Sequence, residues 1–331
     1  MKQALVVGSG SIAKRHIRNL RELYPDAEVV CVSSSGRHIV ASDVGATRTF
    51  DTVEAAVLNN PDIAIVASPA NFHLAHSESI LKANIPVLIE KPLCVELSDL
   101  RRFSFDQMKS KVAVGYNLRF MPAAKAVKCV IDSGSLGRIL TVFSEVGQYL
   151  PDWRPDSDYR KGVSAQKSLG GGALLELSHE LDYLNWFFGN FSEVSAIMGS
   201  SKILDIDVED TVDALLTNKS GAVFHLHLDF LQRSPNRSFK AVGEKGTLIW
   251  NLLTNEVTLQ RTGAASEVVY SDCDYDRNEM YIEQLRAFVA FANGDGTFDS
   301  TLSSSVEVMR LIEAIRLSDQ KRAWIRLEAI K

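Results

Sequence analysis

Four stretches of the 331-residue chain place reactive side chains at spacings that could do chemistry. The first is Glu90-Lys91-Pro92, which ends the apolar run Ile85-Pro86-Val87-Leu88-Ile89. A run that short and uniformly apolar reads as a central strand of a parallel sheet, covered on both faces. Ligands in such sheets lie beyond the strand C-termini, so Glu90 and Lys91 face a ligand crevice. The competing reading is a solvated Glu-Lys pair on a loop, worth little energetically. The second stretch is Gly8-Ser9-Gly10-Ser11-Ile12-Ala13, directly after the apolar Ala4 to Val7. A glycine turn between a strand and a helix lets backbone approach a pyrophosphate, and Ala13 is small enough for the third position of that turn.

The third stretch is Glu176, His179 and Asp182 on an expected helix from Ala173 to Phe188, opened by Gly170-Gly171-Gly172 and stopped by Gly189. At 3.6 residues per turn the two acids flank the imidazole on one side and can orient it. A satisfied core histidine is the plain alternative. A metal reading of Glu176-x-x-His179 is weaker, because bundle di-metal sites need a second copy of the motif and none is present. The fourth is Phe224 to Phe230, whose alternation puts His225, His227 and Asp229 on one strand face. Solvated or interface sheet faces are commoner than metal sites there, so no metal is expected.

The elements that position these groups alternate regularly. Strands are expected at Ala4–Val7, Glu28–Val32, Ile63–Ala67, Val87–Ile89 and Val112–Gly115. Helices are expected from the glycine turn to Leu23, at Asp51–Asn59, up to Ala83 after the loop Ser68-Pro69-Ala70-Asn71-Phe72-His73, and around Leu97 to Phe105. This is the pattern of a doubly wound parallel sheet, assigned to a dinucleotide-binding domain at 1–120. The end of its second strand, Ser33-Ser34-Ser35-Gly36-Arg37, lacks the acid that holds the ribose 2'-hydroxyl of NAD. Serine hydroxyls and Arg37 suit a 2'-phosphate, so NADP is preferred over NAD.

From Pro122 the pattern changes to a helix up to Ile131, a strand at Ile139–Val146, and six further strand signals between Val194 and Gln260. Residues 121–331 are assigned to an α+β substrate domain with an open-faced, mostly antiparallel sheet, helices at Met280–Asn293 and Ser303–Ser318, and a last strand at Trp324–Leu327. The C-terminal helix is expected to pack back on the first domain. The stretch Tyr149 to Lys161 is too long and irregular for an idle connection. Trp153, Arg154, Tyr159 and Arg160 in it, with Lys167 beyond, are candidate substrate residues, as are Asn117 and Arg119; several cations would suit a carboxylate or phosphate. Surface charges balanced by Asp152, Asp156 and Asp158 are the plain alternative.

Composition narrows the class. An apolar fraction of 46% and a charged fraction of 23% are those of a globular protein. A net charge of -5 offers no basic stripe for nucleic acid. Cys31, Cys94, Cys129 and Cys273 show no paired spacing, as expected of reduced thiols in the cytoplasm. No run approaches membrane-spanning length, and no signal segment is expected at the start.

Taken together, the glycine turn, Ser68-Pro69, Glu90-Lys91-Pro92 and His179-Glu180-Leu181-Asp182 resemble the glucose-fructose oxidoreductase, inositol dehydrogenase and MocA family over essentially the whole chain. The resemblance implies an oxidoreductase that moves hydride between NAD(P) and a carbinol carbon of a sugar or related alcohol. It implies that Lys91 and His179 are catalytic, that Asp182 assists, and that Glu90 lies beside the nicotinamide ribose. The cofactor residues are then Gly8, Ser9, Gly10, Ser11, Ile12, Ala13, Ser33, Ser34, Arg37, Ser68, Pro69, His73, Glu90 and Lys91. The family usually has an aspartate four residues before the histidine; here that position is Leu175, and Glu176 is the substitute. Residues Tyr116 to Met121 and Ser164-Ala165-x-Lys167 look most like a subgroup acting in bacterial surface-sugar pathways. The rivals are a redox-neutral epimerase or lyase with retained cofactor, and a nucleotide-sensing regulator. A homodimer or homotetramer through the C-terminal sheet is expected, because an open sheet needs cover.

Overall fold

The computed structural model describes residues 1–102, 112–189 and 191–330. The chain divides into a compact unit of Met1–Phe120 with Arg277–Val306, and another of Met121–Asp276 with Glu307–Lys331.

The first unit is built on a parallel sheet of β1 (Gln3–Val7), β2 (Glu28–Val32), β3 (Arg48–Phe50), β4 (Ile63–Val66), β5 (Val87–Ile89) and β6 (Val112–Val114). Their spatial order is β3-β2-β1-β4-β5-β6, the doubly wound order that reverses beside β1. Every residue of β4, β5 and β6 is buried, which is why these strands are uniformly Val, Ile, Leu and Ala. Helices α1 (Ser11–Leu23), α2 (Ala41–Val44), α3 (Val53–Val57) and α4 (His73–Lys82) make the crossovers. The strand β3 and the helix α2 go beyond the sequence reading, since three and four residues are too few for a period to show. The helix expected around Leu97 to Phe105 is a 3-10 segment at Leu97–Arg102; residues 103–105 lie outside those described.

Helix α8 (Glu279–Asn293), expected with the second domain, packs in the first unit against α1 and the 3-10 turn Asn117–Phe120. The cause is its apolar face: Ile282, Leu285 and Phe288 are buried, and Phe288 meets Phe298 edge-on, which in turn lies on Phe120. Asn19 and Asn278 exchange amide hydrogen bonds across the α1–α8 contact at 3.1 and 3.0 Å.

Among the described residues the second unit carries a nine-stranded sheet: β7 (Ile139–Gly147), β8 (Phe191–Gly199), β9 (Thr211–Asn218), β10 (Val223–Asp229), β11 (Asn236–Gly243), β12 (Gly246–Asn251), β13 (Glu256–Arg261), β14 (Glu267–Ser271) and β15 (Ile325–Arg326). The order is β14-β13-β12-β11-β7-β10-β9-β8-β15, antiparallel except where β10 runs parallel to β7. One face is covered by α5 (Pro122–Asp132) and α7 (His179–Phe187). There Tyr183, Phe187, Phe239 and Trp250 pack in tilted and edge-on pairs, with ring centroids 5.5–5.9 Å apart. The other face is open and exposes Phe143, Ile197, Leu215 and Ile249. The two sheets are the architecture expected from the alternation patterns. Among the described residues no helix is long and apolar enough to cross a membrane.

Candidate active site

In the first unit the reactive residues gather at the C-terminal ends of β1, β2, β4 and β5. Gly8 has φ +130°, and a Cβ there would lie 2.4 Å from the Ala67 carbonyl oxygen, so only glycine fits. Gly10 precedes α1 in extended conformation, and no other atom comes within 4 Å of where its Cβ would be. The turn thus leaves open backbone at the N-terminus of α1, which is what an anionic pyrophosphate needs. Ala13 is fully buried, as the small third position of that turn requires. Beyond β2, Arg37 Nε donates to Ser35 Oγ at 2.9 Å, and Ser35 lies 3.2 Å from Ser33 Oγ.

Past β5 the chain enters a turn with a cis Lys91–Pro92 bond. Glu90 is buried, and His16 on α1 meets its Oε1 at 2.6 Å. The other carboxylate oxygen accepts from the Lys91 amide at 3.3 Å and lies against Gly115, where a Cβ would come within 2.8 Å of it. Lys91 itself is half-buried. His73 is fully enclosed, with Nδ1 2.8 Å from the Pro92 carbonyl and Nε2 2.8 Å from the Ser68 carbonyl. Burial pushes its pKa down, against the raising effect of those carbonyls and of Glu90. Ser68 is buried beside it, its Oγ 3.0 Å from His76 Nδ1. Asn117 and Arg119 are buried in the turn after β6, and Arg119 donates to the Asp299 carbonyl at 2.7 Å.

In the second unit the expected single helix from Ala173 to Phe188 is two helices, α6 (Ala173–Glu176) and α7, which begins at His179. At the junction the Glu180 amide takes the Leu177 carbonyl, three residues back, so the chain tightens and the four-residue ladder lapses. Glu176 therefore ends one helix and His179 starts the next, while His179 and Asp182, three residues apart, share the first turn of α7. Glu180 and Asp182 are buried, and Glu180 pairs with Arg237 through two contacts of 2.7 and 3.1 Å, tying α7 to β11. Tyr183 meets Ser144 Oγ at 2.6 Å.

The glycine triplet before α6 has a steric cause. A Cβ on Gly171 would lie 2.4 Å from the Val163 carbonyl oxygen, and one on Gly172, at φ +110°, would lie 2.3 Å from Glu209 Oε1. Glu209 accepts from the Leu174 amide at 3.1 Å, capping α6; burial holds its pKa above the usual carboxylate range. Neither Glu209 nor His16 carried a local signal in the sequence, because each acts on a residue far away in the chain.

The loop before that triplet is held by contacts within itself and to the segments around Leu204 and Phe230. Trp153 donates to the Gln148 carbonyl at 3.3 Å and sits edge-on to Phe230. Tyr159 donates to the Leu204 carbonyl at 2.8 Å, and Arg160 pairs with Asp158 and Asp205. Arg154 and Lys167 are exposed. On the open sheet face His227 lies between Asp213 at 2.7 Å and Asp229 at 2.9 Å. Those contacts, Asp229 foremost, push its pKa up to about 9, so its neighbours treat it as a cation.

Comparison with known proteins agrees with both units. Residues 2–117 match the model of the oxidoreductase family with an NAD-binding Rossmann fold, and residues 124–249 match the GFO/IDH/MocA C-terminal domain. A levoglucosan dehydrogenase from Pseudarthrobacter phenanthrenivorans is 27% identical over 82% of this chain and 81% of its own length. An inositol 2-dehydrogenase from Saccharopolyspora erythraea is 28% identical over 88% and 86%. Among solved structures, the WlbA dehydrogenase from Bordetella pertussis in complex with NADH and UDP-GlcNAcA superposes with a TM-score of 0.81 at 22% identity, covering 98% of each chain. The chain belongs to the GFO/IDH/MocA family and is an NAD-binding oxidoreductase.

Proposed function

We propose that this family member is a dehydrogenase or reductase that moves hydride between a nicotinamide cofactor and a carbinol carbon of a sugar or sugar-like alcohol. The observation that carries the reading is Lys91 at the C-terminal end of a central parallel strand, in the same unit as a glycine turn shaped for a dinucleotide. The names of the two relatives, a levoglucosan and an inositol dehydrogenase, support the substrate class.

The cofactor, when bound, supplies the hydride acceptor or donor. Gly8, Ser9, Gly10, Ser11, Ile12 and Ala13 hold its pyrophosphate by backbone approach. Ser33, Ser34 and Arg37 hold a 2'-phosphate, which favours NADP over NAD. Ser68, Pro69 and Glu90 shape the nicotinamide end. Lys91 and His179 exchange the substrate hydroxyl proton, one as donor or acceptor and the other steadying developing charge, with Asp182 in support. Glu176 has the weaker claim as partner of His179, being in a different helix.

The substrate carries an acidic or nucleotide-linked group, bound by Arg154 and Lys167. Arg160, paired with Asp158 and Asp205, belongs to the same candidate set. Such a substrate fits bacterial surface-sugar metabolism. Exposure of Phe143, Ile197, Leu215 and Ile249 supports the open sheet face as the homodimer or homotetramer interface of this proposal. None of the four cysteines forms a disulfide, in keeping with a cytoplasmic enzyme.

Titration with NADP and NAD, followed by nicotinamide absorbance with levoglucosan, inositols, sugar acids and nucleotide sugars, tests this reading. Net reduction or oxidation with tighter NADP binding is the expected result. Tight cofactor binding without net redox change on any member of the panel would replace it with redox-neutral chemistry.

A further inference from the structure

Two fully buried histidines, from two different helices, hold the Glu90-Lys91-Pro92 turn on either side of its lysine. His16 of α1 meets Glu90 Oε1 at 2.6 Å, and His73, the first residue of α4, lies 2.8 Å from the Pro92 carbonyl. Neither ring is exposed, so neither reaches solvent or a ligand outside the protein core. His73 also lies 2.8 Å from the Ser68 carbonyl, joining the loop after β4 to the turn after β5. We propose that His16 and His73 are positioning residues that clamp the turn and aim the Lys91 side chain.

The inference rests on the reading of Lys91 as a proton-exchanging group. That role demands an ammonium held to a fraction of an ångström, since misplacement by about 1 Å costs roughly 10²-fold in rate. A three-residue turn at a strand end has few backbone bonds of its own. Side chains anchored in the packed helices supply the missing constraint, in the way outer partners orient a metal ligand. His16 works through the Glu90 carboxylate, which Gly115 also confines. His73 works through the Pro92 carbonyl.

Carbonyl oxygens only accept, so a neutral His73 ring, with one N–H, donates to Pro92 or to Ser68 but not both. Amide side chains can replace each nitrogen separately. Asparagine reaches the place of histidine Nδ1 and glutamine that of Nε2. His73→Asn therefore keeps the Pro92 contact and loses Ser68, while His73→Gln does the reverse. At the other anchor His16→Gln keeps the Glu90 contact and His16→Leu removes it.

The test uses the full-length protein saturated with NADP. Lys91 acetylation by acetic anhydride is followed by peptide mass spectrometry, with the exposed Lys82 as internal reference. NADP affinity, thermal unfolding and kcat on whichever panel sugar turns over are measured alongside. His73→Gln and His16→Leu are expected to raise Lys91 labelling severalfold relative to Lys82 and to lower kcat roughly 10- to 100-fold, leaving KM and NADP affinity within about threefold. His73→Asn and His16→Gln are expected to restore labelling and most of kcat. Equal behaviour of the asparagine and glutamine variants at position 73, or unchanged labelling in His16→Leu, overturns the clamp. Lys91→Ala separates this from the underlying reading: normal turnover there removes the role of Lys91 itself, whereas a dead Lys91→Ala beside fully active histidine variants removes only the clamp.

Discussion

The six-stranded and nine-stranded sheets draw on the same apolar residues but place their polar chemistry differently. In the first, β4, β5 and β6 are buried from end to end, so polar groups are confined to the strand termini. Glu90 there is enclosed and answered by His16. In the second, β9 buries only alternate residues, and charge sits within the strands on the open face, as Asp213 and His227 do, with Asp229 enclosed at the end of β10. A sheet covered twice concentrates function at one edge and holds it rigidly. A sheet covered once spreads polar groups over a face where solvent or another chain decides their worth.

Substitutions at the strand ends of the first sheet should therefore act strongly and on catalysis. Lys91→Ala should lower kcat by about 10²–10⁴ while NADP affinity stays near normal, as steady-state kinetics and a fluorescence titration would show. Gly8→Ala forces a side chain into φ +130° against the Ala67 carbonyl. It should cost roughly 1–3 kcal/mol and lose dinucleotide binding, read by thermal unfolding and the same titration. Ser33→Asp places a carboxylate beside the expected 2'-phosphate. It should weaken NADP about tenfold and leave NAD nearly unchanged, reversing the preference; equal loss for both nucleotides would contradict the serine and Arg37 assignment.

On the open face of the second sheet effects should be smaller and conditional. Leu215→Ser should barely move the unfolding temperature of the subunit yet shift the sedimentation coefficient toward the monomer. The smallest effect is His227→Gln. The folded pKa of about 9 exceeds the ordinary value of 6.5, so the imidazolium's contribution is complete below about pH 6.5 and fades as pH rises through 9. The variant should be less stable than the parent in mildly acidic and neutral buffer and indistinguishable above pH 9 or so. Because His227 is partly solvated, the difference will be modest. A gap that widened with pH would refute the ion pairs.

How much of this could be read in advance depended on how local the cause was. The glycine turn and the Val87-to-Lys91 stretch announce themselves, since strand, turn and helix signals lie within a few residues of one another. The second sheet was legible from alternation, although β14 escaped because Glu267 to Ser271 carries only a short, weak pattern. The continuous helix expected from Ala173 to Phe188 is broken between Glu176 and His179: apolar periodicity persists across Ser178 while the helical backbone does not. His16 and Glu209 were invisible because their partners, Glu90 and the Gly172–Leu174 turn, lie far along the chain. His73 showed as a loop residue near a cofactor, and its enclosure between two carbonyls depends on the folding together of two strand-end loops.

The central claim, that Lys91 exchanges a proton during nicotinamide-linked oxidation or reduction of a sugar, is tested most directly by following nicotinamide absorbance for the parent protein and Lys91→Ala on the same substrate panel. The account predicts net turnover of at least one sugar with NADP by the parent, and a loss of about 10²-fold or more in the variant with cofactor still bound. Equal turnover by the two proteins would contradict it.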